Sequence, residues 1–265
     1  MRHIFFLFIP FFLFASAIET PLLRVQDKQA IIHIKAIDVG VSGFIVHYFT
    51  EKHSAIIANA VVSSFNKEAQ EATLTLSEYD GLRQNSLPNG KWTPQKGDIA
   101  VLAFAYERAF LIAPSETIYY DITSRIHTID WVHPDSFAAF LSYIGHPTPL
   151  AEDIQEYCAI ASLGLLYLYS DQTLFTIDCK SLTLLQITAA PMELKEQELP
   201  FYSRVENIEA DWFGEGSNKL KNYDPYYMKL LAKNNPKSLK LYNYIKSNDN
   251  NSTELLDDFD IKGKQ

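Results

Sequence analysis

Two hydrophobic periodicities divide the chain. Between Leu22 and Ala113, apolar residues recur in short alternating runs separated by turn residues, which is typical of β-strands. After Pro114, helix-length patterns alternate with further short runs. The predicted fold class is therefore α+β, or mixed: a small N-terminal β-barrel-like domain, then a compact α/β domain, then a helical and finally disordered C-terminal tail.

The expected barrel is built from short β-rich runs. They share alternating apolar and polar positions, and they cover 30–36, 44–49, 55–65, 72–76, 99–105 and 109–113. The segment 38–43 contains Gly40 and Gly43, which predicts a tight turn with both glycines available for positive φ. The Pro- and Gly-containing segment 87–98 predicts a long exposed connection.

The second domain is predicted from helix and strand periods in alternation. Three helices are expected, at 116–126 after the cap Ser115, at 135–144 before Gly145, and at 148–162. Strands are expected at 128–132, 163–169, 173–178 and 183–188. Further along, a short helix is expected at 206–213, and two more follow Asp224-Pro225 and Asn235-Pro236, where a capping residue precedes a proline.

These patterns divide the chain into five predicted segments. They are a signal peptide at 1–17, the barrel-like domain at 18–113, the α/β domain at 114–190, a helical basic extension at 191–246 and a disordered tail at 247–265. The tail is assigned to disorder because it is rich in Asn, Asp and Ser.

The first segment is typical of an export signal. Arg2 and His3 precede an apolar run to Phe14 that is too short to span a bilayer, and Ala15-Ser16-Ala17 matches a cleavage pattern. We therefore expect cleavage before Ile18 and an exported protein, at the cell surface or in the periplasm, with no membrane span after cleavage. An uncleaved N-terminal anchor is the alternative.

Composition and charge narrow the function classes. The chain is 47% apolar, which is ample for packed cores, and its net charge of -9 disfavours a nucleic-acid binder. The two cysteines, Cys158 and Cys179, belong to the exported part, where a disulfide between them is expected. Their spacing from each other and from the histidines matches no metal motif, so we expect no metal site.

Catalytic motifs are not found in the sequence. It contains no Gly-x-Ser-x-Gly elbow, no Walker loop and no dinucleotide fingerprint. His133 and Asp135 flank Pro134 and could form an acid–base pair, but an Asp at a helix start is more often a cap. We therefore expect a protein that is not an enzyme, with no catalytic residue and no cofactor.

A basic stretch lies inside this acidic chain. Seven lysines accompany the single acid Asp224, and they are Lys219, Lys221, Lys229, Lys233, Lys237, Lys240 and Lys246. Two interpretations stay open. The stretch is either a binding element or a solvated helical hairpin that packs on the acidic body.

The order and spacing of several motifs resemble one known family. The motifs are DVGVSG at 38–43, IVH at 45–47, LP at 87–88, PQKGD at 94–98, YER at 106–108, LIAP at 111–114 and WVHPD at 131–135. Together they resemble the N-terminal domain family of the bacterial plasminogen-binding protein PgbA, over about 22–190. The resemblance implies an exported or surface protein that captures host plasminogen through lysines, typically a C-terminal lysine. The chain ends Lys262-Gly263-Lys264-Gln265, which makes Lys262 and Lys264 the candidate lysine-recognition residues.

Three function classes follow. The first is an adhesin-like protein whose partner is a host protein, with plasminogen the candidate, bound through exposed lysines. The second is a periplasmic structural or assembly module that binds another envelope protein, and the third is an enzyme. Asp249-Asn250-Asn251-Ser252-Thr253 also resembles the bacterial N-glycosylation signal at Asn251, although an Asn-rich tail produces such matches by chance.

Overall fold

The structure, a computed structural model, describes residues 17–79, 81, 92–248 and 253–261. The strands are Ile18–Gln26 (β1), Gln29–His33 (β2), Ser42–Thr50 (β3), His53–Asn66 (β4), Glu71–Glu78 (β5), Ile99–Leu102 (β6), Arg108–Ile112 (β7), Asp130–Val132 (β8), Leu165–Ser170 (β9), Thr173–Asp178 (β10) and Leu184–Ala189 (β11). The helices are Glu116–Thr123 (α1), Asp135–Ile144 (α2), Ala151–Ile160 (α3), Tyr223–Asn234 (α4), Leu239–Asn248 (α5) and Thr253–Leu256 (α6). The expected mixed fold is confirmed.

A closed antiparallel barrel forms the N-terminal part. Its strand order is β1-β2-β5-β4-β3-β6, and its interior is filled by the alternate side chains that the period of two directs inward, such as Leu22, Ile45 and Leu102. In the predicted turn at 38–43, Gly40 has a positive φ of +96°, as expected. Gly43 does not have a positive φ; it lies in β3, where a different constraint requires glycine. A Cβ at Gly43 would overlap the carbonyl oxygen of Val101 on β6, so only glycine lets these two strands approach.

Two strands differ from the pattern-based expectation. The run 109–113 was expected in the barrel, but it forms β7 in the second sheet, because parallel strands covered on both faces also read as continuous apolar runs. Ala109, Phe110, Leu111 and Ile112 are all at most 1% exposed. Conversely, β1 closes the barrel between β2 and β6 although Leu22 is its only fully buried residue, which leaves little hydrophobic signal to recognise.

The second sheet has the order β11-β10-β9-β7-β8. Strand β7 pairs in parallel with β8 and β9, while β9, β10 and β11 form an antiparallel meander. Helix α2 packs on the sheet through Phe137, whose ring centroid lies 5.1 Å from that of Phe110 on β7. Gly145, with φ of +74°, ends α2 as expected.

The expected helix at 206–213 is wrong. The backbone N–H of Glu209 donates to Ser142 Oγ (3.1 Å), and that of Asp211 donates to the Gly145 carbonyl (2.9 Å). These donors are therefore satisfied by the end of α2 rather than by a helical turn of their own. This segment is irregular and is bound to the end of α2.

The last helices also differ from expectation. Helix α5 begins at Leu239 rather than at Pro236, and Ser238 Oγ accepts the N–H of Leu241 in its first turn (3.2 Å). The prediction of disorder from Ser247 onward is wrong for 253–261, where α6 forms and Phe259 is 3% exposed against Tyr242. Leu255, Leu256 and Ile261 also pack on the core, and the N–H of Asp260 donates to the Pro236 carbonyl (2.8 Å), so several contacts hold this segment to the fold.

A buried aspartate lies where the barrel meets the second sheet. Asp178, at the end of β10, is fully buried, and its Oδ2 accepts the N–H of Ser42 (3.0 Å), Ser42 Oγ (2.8 Å) and the hydroxyl of Tyr106 (2.6 Å). Its Oδ1 accepts the N–H groups of Lys180 (3.1 Å) and Ser181 (2.7 Å). Ser42 begins barrel strand β3, so this carboxylate binds the two sheets together.

Candidate lysine-bearing binding surface

Helices α4 and α5 form the basic surface that the sequence indicated. Their apolar faces pack into the main core, where Tyr223, Tyr227, Leu231 and Leu241 are at most 1% exposed. The hydroxyl of Tyr223 donates to the Tyr169 carbonyl (2.9 Å), so even its polar end has a partner. Burial of one face leaves the opposite faces to solvent, and all seven lysines of the stretch are exposed.

Some of these lysines are engaged and others are not. Lys219 Nζ donates to Asn207 Oδ1 (3.1 Å), and Lys240 Nζ donates to the Leu185 carbonyl (2.8 Å). Within the described part of the chain, Lys221, Lys233 and Lys237 make no hydrogen bond or ion pair. We call these three exposed residues the open lysines. Their ammonium groups can pair with a partner's carboxylates without first breaking an internal contact.

The single acid of the stretch does not neutralise the open lysines. Asp224, in the first turn of α4, accepts Ser170 Oγ (2.7 Å) and the N–H of Asp171 (3.2 Å) from the β9–β10 turn. A cavity of about 270 Å³ lies beside this contact, and its walls include Asp171, Asp224 and Tyr244. The carboxylate of Asp224 therefore positions α4 on the sheet.

The expected disulfide is present in the structure. Cys158 on α3 is joined to Cys179, which directly follows β10, with the Cα atoms 5.9 Å apart. Both residues are at most 3% exposed. The bond ties α3 to the sheet next to the Asp178 junction, and it stabilises the fold by roughly 3 kcal/mol for a loop of this length.

The remaining sequence-predicted sites lie outside the described residues. These are the lysines Lys262 and Lys264, the glycosylation candidate Asn251 and the signal segment up to Ser16. Part of the predicted exposed connection, 82–91, is also outside them. Each of these sites stays a prediction.

The pair His133 and Asp135 lies at the carboxyl ends of β7 and β8, where open α/β sheets commonly bind ligands. Asp135 is not the helix cap, because Pro134 occupies that position. Its carboxylate instead accepts Nε (2.7 Å) and the backbone N–H (2.8 Å) of Arg204, and His133 Nδ1 lies 3.1 Å away. These bonds tie the segment that contains Arg204 to the first residue of α2.

Two pKa shifts define the charge state of this pair. Burial alone would raise the pKa of Asp135, but hydrogen bonds from Arg204 outweigh it and lower the value below 3.8. Burial lowers the pKa of His133. At neutral pH the site therefore holds a carboxylate and a neutral imidazole.

The sheet edge is covered by the chain itself. The N–H of Glu198 donates to the Pro114 carbonyl (2.7 Å), and that of Tyr202 donates to the Ala113 carbonyl (2.8 Å). Tyr202 also packs on Tyr119, with ring centroids 5.4 Å apart. In the described ranges no three His, Cys, Asp or Glu side chains gather to hold a metal ion, and no helix is long and apolar enough to cross a membrane.

A family model described as the plasminogen-binding protein pgbA N-terminal matches residues 17–231. The chain belongs to this family. The match covers the barrel, the second sheet and most of α4, and it includes Lys221 but not Lys233, Lys237 or the final residues. The resemblance inferred from the motifs is thereby confirmed.

Two relatives of known name belong with this family. Plasminogen-binding protein PgbA of Helicobacter pylori (strain J99 / ATCC 700824) is 28% identical over 206 residues, covering 77% of this chain and 44% of that protein. The PgbA of Helicobacter pylori (strain ATCC 700392 / 26695) is 28% identical over 207 residues with the same coverage. The match therefore spans less than half the length of these relatives. No solved structure matches the chain.

Proposed function

We propose that this chain is an exported, non-enzymatic binding protein that captures a host protein, with plasminogen the first candidate, through exposed lysines. The family and the names of its relatives support the partner, since both are called plasminogen-binding. The observation that carries the mode of binding is the open lysines, which are exposed on α4 and beside α4 and α5 and whose charges no acid of the stretch neutralises.

Lysine recognition has a defined chemistry. A pocket that binds a lysine side chain pairs the ammonium with carboxylates and stacks the methylene stem on aromatic rings. A lysine desolvated in this way contributes about 2 kcal/mol, whereas a lysine at the rim of an interface contributes about 0.2–1 kcal/mol. Since about 1.4 kcal/mol corresponds to a tenfold change in affinity, the two modes can be separated by single substitutions.

The experiment measures binding of the full chain to immobilised plasminogen, with and without a soluble lysine analogue as competitor. The test variant replaces the open lysines together, as Lys221→Gln, Lys233→Gln and Lys237→Gln. The matched control replaces three lysines at the barrel hairpin turns, as Lys28→Gln, Lys52→Gln and Lys67→Gln, which removes the same charge from exposed positions elsewhere. We expect the test variant to bind more than about tenfold more weakly and the control to bind nearly unchanged.

The tail lysines are tested separately. Deleting 262–265 removes Lys262 and Lys264 but leaves Phe259, whose burial stabilises the last segment. Removing Gln265 alone exposes Lys264 as the terminal residue and should strengthen binding if the tail is the recognition element. Binding that neither the open-lysine variant, nor the deletion, nor the lysine analogue weakens would contradict lysine-mediated capture.

A second candidate function is a periplasmic structural or assembly module that binds another envelope protein. The observation in its favour is that the family match spans both sheets and ends at residue 231, before the tail lysines. Location separates the two functions. Protease treatment of intact cells removes a surface adhesin and spares a periplasmic module.

A further inference from the structure

Two aromatic rings stand almost free in solvent on one loop, 211–216, which we call the aromatic loop. Trp212 is 90% exposed and Phe213 is 88% exposed. A third ring, Tyr143 on the last turn of α2, is 88% exposed. Tyr143 lies two residues before Gly145, whose carbonyl accepts a hydrogen bond from Asp211 at the start of the loop. Neighbouring exposed apolar residues of this size, such as Trp212 and Phe213, mark interaction sites more often than scattered single ones do.

The aromatic loop is held at both ends rather than hanging from the fold. At its start the N–H of Asp211 donates to the Gly145 carbonyl (2.9 Å), and at its end the Gly216 carbonyl accepts the N–H of Thr148 (3.1 Å). Just beyond, Thr148 Oγ1 donates to the Asn218 carbonyl (2.6 Å). Gly214 and Gly216 have φ of +130° and +89°, a region that favours glycine. The backbone thus presents the two rings at little further entropic cost on binding.

The surroundings of the rings are acidic. Four exposed acids, Glu206, Glu209, Asp211 and Glu215, lie in the sequence between Arg204 and Lys219 with no lysine or arginine among them. Of the two flanking cations, Arg204 pairs with Asp135 and Lys219 contacts Asn207, so the four acids remain in excess. Burial, and then nearby acids that include Glu215 and Glu152 at the start of α3, raise the pKa of Tyr226 to about 12. An anionic lipid surface would be repelled by this group of carboxylates, but a cationic polypeptide would be attracted.

We propose that the aromatic loop together with Tyr143 is a docking surface for a basic segment of a partner protein, which places arginine or lysine side chains against the carboxylates and the rings. Charge complementarity supports this occupant. Guanidinium and ammonium groups are attracted to the faces of Trp, Tyr and Phe, while apolar neighbours on the same segment would cover the ring edges. The open lysines, of which Lys221 lies five residues beyond Gly216, would attract acidic groups instead.

The test uses three labelled peptides of equal length, with alternating Arg and Leu, Arg and Ser, or Glu and Leu, and follows their binding to the full chain by fluorescence anisotropy. We expect the Arg and Leu peptide to bind best, because it alone offers both charge and apolar contact. Its affinity should fall about tenfold in the double variant Trp212→Ala/Phe213→Ala and in Glu206→Gln/Glu209→Gln/Glu215→Gln. The control Tyr48→Ala/Phe49→Ala removes two exposed barrel aromatics and should leave binding unchanged.

Several results would overturn the proposal. They are equal binding of all three peptides, no binding of any, or equal binding to the loop variant and the barrel control. A dimer seen by light scattering and lost only in the loop variant would assign the surface to a second copy of the chain. Loss of vesicle binding in that variant would assign it to lipid. Unfolding curves of the variants that match the parent chain show that a loss comes from the surface and not from the fold.

Discussion

The Asp178 junction permits a quantitative prediction about how the barrel is held to the second sheet. The substitution Tyr106→Phe removes one oxygen from a side chain that is 5% exposed and leaves the ring in place. That hydroxyl donates to the buried carboxylate of Asp178 at 2.6 Å. Burial and then the Asp178 charge raise the pKa of Tyr106 far above its usual value, so the group is a donor at every pH at which the protein would be studied.

The magnitude follows from the kind of hydrogen bond. A bond to a charged acceptor contributes about 1.5–3 kcal/mol, and the carboxylate keeps its four other donors in this variant. We therefore expect Tyr106→Phe to lower the free energy of unfolding by about 1.5–3 kcal/mol. For a chain of this size, each kcal/mol corresponds to a fall in Tm of about 2–4 °C.

Removing the charge of Asp178 should lower the free energy of unfolding further than Tyr106→Phe does. Asp178→Asn replaces one of two acceptor oxygens by an NH₂ group that would face the donors of Ser42 and Tyr106 or those of Lys180 and Ser181. We expect a loss of about 3–5 kcal/mol, because buried donors are left without an acceptor. In the double variant with Tyr106→Phe the losses should not add, since both substitutions remove or weaken the bond between these two side chains.

Urea unfolding of the chain with its disulfide intact is the measurement, and Tyr143→Phe is the control because that side chain is 88% exposed. Two results would refute the conclusion that the Asp178 carboxylate holds the barrel to the second sheet. One is a Tyr106→Phe variant whose free energy of unfolding lies within about 0.5 kcal/mol of that of the parent chain, and the other is strictly additive losses of this free energy in the double variant.

Four further outcomes are expected. Mass spectrometry of the exported protein should place Ile18 at its N-terminus, and an intact Met1 would contradict signal cleavage. The oxidised, denatured protein should contain no reactive thiol. Arg204→Gln should destabilise the fold at neutral pH and lose its effect in acid. The lowered pKa of Asp135 gives a stabilisation that is complete above about 3.8, its ordinary value, and that is lost as the pH falls through the lower folded-state pKa and the carboxylate is protonated. In a host with the bacterial oligosaccharyltransferase, the tail should gain glycan at Asn251 and lose it in Thr253→Ala; an unmodified tail there would mark the motif as a chance match.

The sequence by itself determined the elements that carry strong local signals. Strand β10 occurs at the residues that the pattern predicted, and α2 ends at Gly145 because glycine adopts the left-handed conformation that closes a helix. The two cysteines, the basic stretch and the family resemblance were also readable from the residues alone. In each case neighbouring residues decide the outcome through periodicity, capping or composition.

Only the tertiary structure decided where ambiguous segments belong. The run that forms β7 is apolar at every position, so its pattern fits a barrel strand as well as a parallel strand buried on both faces. The segment 206–213 has helix-forming residues, but α2 satisfies its backbone donors. The polar tail is packed because Phe259, Leu255, Leu256 and Ile261 all contact the core, and their burial together offsets the entropy of ordering a short segment.

The two proposed binding surfaces likewise depend partly on local sequence and partly on tertiary contacts. The lysines of the basic stretch were visible in the sequence, but which of them are open depends on partners far along the chain, such as the Leu185 carbonyl that engages Lys240. Trp212 and Phe213 end the short helix that the sequence predicted at 206–213. They are exposed because the loop is anchored at Gly145 and Thr148, and those contacts join residues about 70 positions apart, beyond the reach of any local pattern.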